Sequence, residues 1–224
     1  MPRRILVLLA LLPMSCAWGE VVNDPVAIEQ EPRHRLKFEN QHVRFFDVEL
    51  EPGYESRYHW HRNDGVFVNI ASSATIAQDI GKDPVPRGER AIGETYFIGY
   101  GGNPKAHRVS NTGGTVYHVT DTEILAGCAA SDALAPDPGQ ALLVDNARVF
   151  VTRIILHPGE SSDLHAPCGM LVSVSGGRIT LSSPAGSEHL NLAPAGFHWR
   201  HRNETTKVFN SGKFVFHAVD IRLK

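Results

Sequence analysis

Short apolar runs recur along this chain, and Gly, Pro and Asn separate them. The runs are rich in Val, Ile, Phe, Tyr and Thr, a pattern typical of β-strands bounded by turns. We predict strands at residues 44–50, 66–70, 95–98 and 115–125 in the first half, and at 149–156, 171–174, 178–181 and 214–223 in the second. No long amphipathic helix is evident, so the pattern predicts an all-β protein.

The chain also contains an internal repeat. Residues 40–53 align without a gap on residues 146–159, and residues 108–121 align on residues 207–220. Two blocks in the same order indicate a duplication. We therefore predict two tandem antiparallel β-barrels or jelly rolls. They span residues 20–125 and 141–224, joined by an Ala-, Pro- and Asp-rich linker at 126–140.

Composition narrows the class of protein. The 224 residues are 42% hydrophobic, which is typical of a globular chain, and the net charge of -2 lacks the basic surplus of a nucleic-acid-binding protein. Residues 1–19 have the features of a signal peptide, with Arg3 and Arg4 before an apolar run too short to span a bilayer. We expect a periplasmic or secreted protein that leaves the membrane after cleavage. Lipid attachment through Cys16 is a less favoured alternative, because Pro13 and Met14 match a lipobox poorly.

Removal of the signal peptide leaves two cysteines, Cys128 and Cys168. In an oxidising compartment they can form a disulfide. They can equally stay free, since their separation in sequence does not define their geometry.

Three histidines in the first half are candidate metal ligands. His59 and His61 lie two residues apart, so on a strand they point to the same face. His107 lies on a later segment. Neutral imidazoles from two strands can share one divalent metal (Fe, Mn, Ni, Cu or Zn) and leave open positions for a substrate.

Arg57 and Tyr96 are the candidate catalytic residues. Arg57 shares the strand parity of His59, so it is expected either to anchor a carboxylate inside the barrel or to form an ion pair at its rim. Tyr96 precedes His107 and either lines the pocket or packs in the core. The polar segment 78–90 is either a lid over the barrel mouth or a surface loop.

The spacing of Gly53, His59 and His61 resembles the first motif of the cupin superfamily, and His107 followed by Asn111 resembles the end of the second. The whole mature chain resembles a bicupin. Cupins usually place a Glu ligand four or five residues after the second His, where this chain has Gly65 and Val66. Neither Asp64 nor Glu94 is expected to replace that ligand. The resemblance thus implies a three-histidine site, as in the cupin dioxygenases that cleave diketones or oxidise thiols with Fe(II).

The second half departs further from the cupin pattern. His165 matches His59, but Pro167 and Thr206 stand where His61 and His107 stand in the first half. One imidazole does not make a metal site. We expect a degenerate scaffold barrel; the alternative is a second site that recruits Cys168, His198 or His201.

Together these features predict an exported bicupin metalloenzyme. A shell of neutral imidazoles leaves the metal its full positive charge, which favours a small chelating anion such as a carboxylate, a diketone or a sugar acid. The expected reaction is oxygen-dependent cleavage or a metal-stabilised enolate step. The alternative is a non-catalytic periplasmic module for small-molecule binding or interaction. The resemblance also suggests a homodimer.

Overall fold

The computed structural model describes residues 24–128, 134–164, 168–201 and 206–224. The predicted signal peptide and Cys16 lie outside the described residues, as do His165, Pro167 and residues 129–133 of the predicted linker. Apart from one short 3-10 helix, η1 (Ile28–Gln30), the regular structure in the described residues is β-strand. No helix in this part of the chain is long and apolar enough to cross a bilayer.

The first half contains two sheets. Its strands are β1 (Val26–Ala27), β2 (His34–Glu39), β3 (Val43–Leu50), β4 (His59–His61), β5 (Asp64–Ala71), β6 (Thr75–Asp79), β7 (Val85–Arg87), β8 (Thr95–Ile98), β9 (Lys105–Asn111) and β10 (Tyr117–Ile124). Sheet 1 has the order β1-β4-β9-β6-β7, and sheet 2 has the order β2-β3-β10-β5-β8. The pairing is antiparallel except between β1 and β4.

The second half repeats this arrangement. Its strands are β11 (Gln140–Asp145), β12 (Val149–Leu156), β13 (Ser161–Leu164), β14 (Gly169–Ser173), β15 (Gly177–Ser183), β16 (Gly186–Leu192), β17 (Phe197–Arg200), β18 (Thr206–Asn210) and β19 (Phe216–Leu223). Sheet 3 has the order β11-β12-β19-β14-β17, which copies sheet 2, and sheet 4 has the order β13-β18-β15-β16. Each predicted strand overlaps an observed one, and the all-β prediction is confirmed.

The two halves share a core. One apolar cluster joins buried residues of sheet 2 to buried residues of sheet 3, among them Val43, Phe45, Val66 and Val68 from the first half and Val149, Val151, Met170 and Val219 from the second. The opposite faces of the same strands fill the separate cores of the two barrels. In β3, for example, Phe45 packs toward the second half, whereas Phe46 and Val48 pack inside the first barrel.

Polar and covalent contacts also cross between the halves. Cys128 and Cys168 form a disulfide, which settles the alternative left open by the sequence. The Asp64 carboxylate lies 3.1 Å from the Arg148 guanidinium. These links hold one face of sheet 2 against sheet 3. The opposite face of sheet 2 lines the first barrel.

Loss of the disulfide is expected to destabilise the protein. A cross-link that closes a loop of 40 residues restricts the unfolded chain, so Cys128→Ser should lower the free energy of unfolding by about 2–4 kcal/mol. Urea unfolding with and without reductant measures this difference. Reductant should destabilise the unsubstituted protein and leave the variant unchanged. Equal stability of the two proteins without reductant would contradict the expectation.

Candidate metal centre

Strands β4 and β9 bring the three predicted histidines together. His59 and His61 lie on β4, and His59 is paired directly with His107 of β9. The ring centroids are 5.1 Å apart for His59 and His61, 4.9 Å for His59 and His107, and 4.8 Å for His61 and His107. All three side chains are buried. The structure therefore places the predicted ligands in one cluster, and their binding of a metal stays a prediction.

A fourth histidine, which the sequence analysis missed, joins this cluster. His34 begins β2, and its ring centroid lies 4.2 Å from that of His59. His34, His59 and His61 each have a ring nitrogen within 4.8 Å of a ring nitrogen of the other two. The repeat gave no signal for His34, because Gln140 occupies the matching register position on β11.

Hydrogen bonds fix the tautomers of two of these rings. Nδ1 of His59 lies 2.9 Å from the carbonyl oxygen of Arg57, and a carbonyl can only accept, so Nδ1 carries the proton. Nδ1 of His34 lies 2.8 Å from the Glu31 carboxylate. In both rings Nε2 is left as the lone-pair atom, and Nε2 of His59 is buried with no hydrogen-bond partner among the described residues. Such a donor atom is suited to a metal.

Glu31 is held in its ionised form. Burial alone would raise the pKa of its carboxyl, but hydrogen bonds from the His34 ring and from the backbone N–H groups of Arg33 and Arg57 lower the pKa below its usual value. The carboxylate can therefore accept the Nδ1 proton of His34. This is the carboxylate–imidazole arrangement that orients metal-binding histidines in proteins.

The clustered imidazoles are neutral. Burial lowers the pKa of His59 and of His61 well below the usual range, and neighbouring imidazoles add to the effect. Burial, assisted by the charge of Arg87, lowers the pKa of His107 to about 3. Neutral imidazoles are donors that divalent transition metals prefer, so the residues present fit such an ion. The nitrogen atoms that lie within 4.8 Å of one another belong to His34, His59 and His61, and His107 is not part of that group.

The cluster opens onto a small cavity of about 40 Å³ inside the first barrel. Tyr96, Tyr100 and Tyr117 line it together with Arg87 and three of the histidines. The Tyr100 ring stacks on His61 with centroids 4.8 Å apart. Burial raises the pKa of all three phenols, so each keeps its proton. Tyr96 both lines this cavity and packs against the core of the first barrel, and its catalytic role stays a prediction.

The structure places Arg57 at the surface and not inside the barrel. Its side chain is exposed, and it is not among the residues that line the cavity. Strand β4 begins only at His59, so the alternation of sides does not extend back to Arg57. The guanidinium that lines the cavity belongs to Arg87, which lies in the predicted lid segment, where β6 and β7 form a hairpin.

A carboxylate that the sequence analysis did not single out lies close to His61. Asp64 contacts Arg148, and Glu94 is paired with Arg90, so neither reaches the cluster, as expected. Asp121 of β10 has an oxygen atom 3.5 Å from Nδ1 of His61. Its carboxyl is fully buried, and burial together with the charge of Glu123 raises its pKa well above the usual value.

The second barrel holds an ion network where the first holds imidazoles. Asp220 lies 2.5 Å from the Arg200 guanidinium and accepts a hydrogen bond from Arg222 at 2.8 Å. Cys168 is engaged in the disulfide. Among the described residues, no group of three metal-ligating side chains lies wholly in the second barrel.

Comparison with known proteins places this fold. No family model matches the sequence, and no curated protein does. AerE from Microcystis aeruginosa matches with a TM-score of 0.60 at 11% identity, over 87% of this chain and 98% of that chain. Oxalate decarboxylase from Bacillus subtilis, which contains Mn(II) centres, matches with a TM-score of 0.58 at 10% identity, over 82% of this chain and 69% of that one. A cupin 2 conserved barrel domain protein from Leptotrichia buccalis gives 0.51 at 12% identity, over 84% and 86%.

These likenesses establish the fold alone, because identities of 10% to 12% do not indicate a shared activity. The chain has the cupin fold in two tandem copies. The first copy holds the histidine cluster, and the described residues of the second copy hold no such cluster.

Mild acid should destabilise the metal-free protein. The pKa of a histidine in an unfolded chain is about 6.5. In the folded protein the pKa values of His59 and His61 are well below that value, and the pKa of His107 is about 3. Between those limits the unfolded chain binds more protons than the folded one. The free energy of unfolding should therefore decrease as the pH is lowered, by at most about 1.4 kcal/mol per pH unit for each imidazole.

Urea unfolding of the metal-free protein between about pH 7 and about pH 5, above the range where most carboxyls titrate, measures this slope. His107→Gln should reduce the slope, since one buried imidazole is gone. An identical slope in the two proteins would argue against a neutral, buried His107.

Replacement of His34 should weaken metal binding. His34→Ala removes one of three closely spaced donors, so the affinity for Zn²⁺ should fall on the order of 10- to 100-fold. Calorimetric titration measures the affinity, and His189→Ala, which removes an exposed histidine of the second barrel, is the matched control. Unchanged affinity in His34→Ala would exclude His34 from the ligand set.

Proposed function

We propose that this chain is an exported, metal-dependent cupin enzyme acting on a small metal-chelating anion: a carboxylate, a diketone or a sugar acid. One observation carries the proposal. Neutral, buried imidazoles converge on a cavity that also contains a guanidinium and phenols that keep their protons. Export rests on the sequence of residues 1–19, and a homodimer on the resemblance to bicupins.

His59, His61 and His107 would hold the metal, with His34 as a further donor. A divalent metal bound there supplies Lewis-acid polarisation of a chelating oxygen and, where it is redox-active, chemistry with dioxygen. Glu31 keeps His34 in the tautomer that presents Nε2. The surrounding burial keeps all four rings away from bulk water.

Arg87 supports an anionic ligand. Its guanidinium lines the cavity and lowers the pKa of His107, which places positive charge close to the cluster. A carboxylate in the cavity would neutralise this charge through charge-assisted hydrogen bonds. The phenols of Tyr96 and Tyr100 can donate hydrogen bonds to the same ligand. The cavity has room for only a few water-sized groups, which favours a small molecule.

The reaction proposed is oxygen-dependent cleavage, or a decarboxylation, isomerisation or lyase step. Among the structural relatives, oxalate decarboxylase contains Mn(II) and acts on a small dicarboxylate, which supports this class. The chain's own contribution is to bind the anion through Arg87, to exclude water, and to hold protons on the phenols.

Elemental analysis after purification without chelator or histidine tag tests the proposal. We expect about one divalent metal per chain, lost in His61→Ala and kept in His189→Ala. The metal-loaded protein is then incubated in air with small carboxylates, diketones and sugar acids, while oxygen uptake and carbon dioxide release are recorded. Turnover that His61→Ala abolishes supports the enzyme. Saturable binding without turnover indicates a binding module, and absence of metal overturns the proposal.

A further inference from the structure

Asp121 is a buried carboxyl group that makes no hydrogen bond within the described residues. Its side chain is 1% exposed, and neither carboxylate oxygen has a hydrogen-bond partner among the described residues. It lies on the same face of β10 as Tyr117 and Val119, which belong to the core of the first barrel. An isolated carboxylate in such a place is costly unless a cation compensates it.

The second barrel shows how the same position is normally compensated. Asp220 is the repeat equivalent of Asp121, and it is fully buried as well. Its two oxygens are met by Arg200 at 2.5 Å and by Arg222 at 2.8 Å. The buried carboxylate is therefore retained in both barrels, while its cations are present in the second only.

Strand register identifies what replaces those two arginines. Gly169 of β14 pairs with Arg200 and with Arg222, and the matching Gly65 of β5 pairs with Ile98 and with Glu123. The first barrel thus has an apolar residue and an acid where the second has two guanidinium groups. Arg44, a cation on the neighbouring strand β3, is engaged by Glu123, at 2.8 Å from Nε.

Gly65 stands at one of the two positions where cupins usually carry the glutamate ligand. A side chain at Gly65 would begin 2.9 Å from Oδ1 of Asp121, so a glutamate there would require Asp121 to move from its observed position. On its other side Asp121 faces Nδ1 of His61, at 3.5 Å. Asp121 thus lies between the strand that normally supplies the glutamate and a histidine of the cluster.

We infer that Asp121 is the carboxylate of the metal centre, set behind His61 in place of the glutamate that cupins usually carry at position 65 or 66. It is a positioning residue: it receives the Nδ1 proton of His61 and leaves Nε2 for the metal. The bound cation does for Asp121 what Arg200 and Arg222 do for Asp220. This inference rests on the proposed metal-dependent function.

Co²⁺ titration of the full metal-free protein, followed by calorimetry and by the visible absorption of the bound ion, tests the inference. Asp121→Asn should weaken Co²⁺ binding by about 10- to 100-fold and alter the absorption band, because a neutral amide oxygen is a weaker acceptor for the Nδ1 proton of His61 than a carboxylate is. Asp220→Asn is the matched control in the second barrel and should leave the affinity within about threefold. A second variant, Ile98→Arg, copies the second barrel and should abolish Co²⁺ binding although all four histidines remain.

Thermal unfolding of the metal-free proteins gives a readout that does not depend on metal. Asp121→Asn replaces a buried acid that makes no hydrogen bond in the metal-free protein, so its melting temperature should stay the same or rise. Asp220→Asn leaves two buried guanidinium groups with fewer partners, so its melting temperature should fall.

The outcomes separate this inference from the proposed function. If the unsubstituted protein binds Co²⁺ and Asp121→Asn binds it equally well, the inference is wrong and the metal site stands on histidines alone. Retained binding in Ile98→Arg has the same meaning. If the unsubstituted protein binds no Co²⁺, the proposed function and the inference both fail.

Discussion

The burial of polar groups without internal partners is the constraint on which the first barrel depends. Four imidazoles and the Asp121 carboxylate lie inside a β-barrel core, where water cannot satisfy them. A core of this kind is stable only if each group is kept neutral, hydrogen-bonded or matched by an opposite charge. Burial lowers the pKa of His59, His61 and His107 and so keeps these rings neutral. Glu31 and the Arg57 carbonyl engage the Nδ1 atoms of His34 and His59.

The second barrel meets the same constraint by another route. There the buried Asp220 is balanced within the chain by two arginines, and no external ion is needed. The same fold and register therefore hold a cluster of buried imidazoles in one copy and a carboxylate paired with two arginines in the other. The difference depends on a few positions, chiefly Ile98 against Arg200 and Glu123 against Arg222.

Much of the fold could be predicted from the sequence, because strands with repeated apolar runs and a duplicated chain leave a strong pattern. The His59, His61 and His107 cluster could also be predicted, since the residues on β4 and β9 follow a known spacing. His34 could not, because it comes from a separate strand and has no histidine counterpart in the repeat. Arg57 was misplaced because strand alternation was extended beyond the start of β4. Asp121 was within reach: its alternation with Tyr117 and Val119 and its match to Asp220 both indicated an inward acid.

Sheet 2 is buried on both faces, since it lines the first barrel on one side and packs against sheet 3 on the other. Strand β10 lies at its centre, carrying Asp121 toward the cluster and Ile124 toward the second half. Unfolding of either half would expose one face of this strand to water. We therefore expect unfolding of one half to destabilise the other. Accordingly, we expect the two barrels to unfold as one cooperative unit, in which the second barrel supports the sheet that carries Asp121.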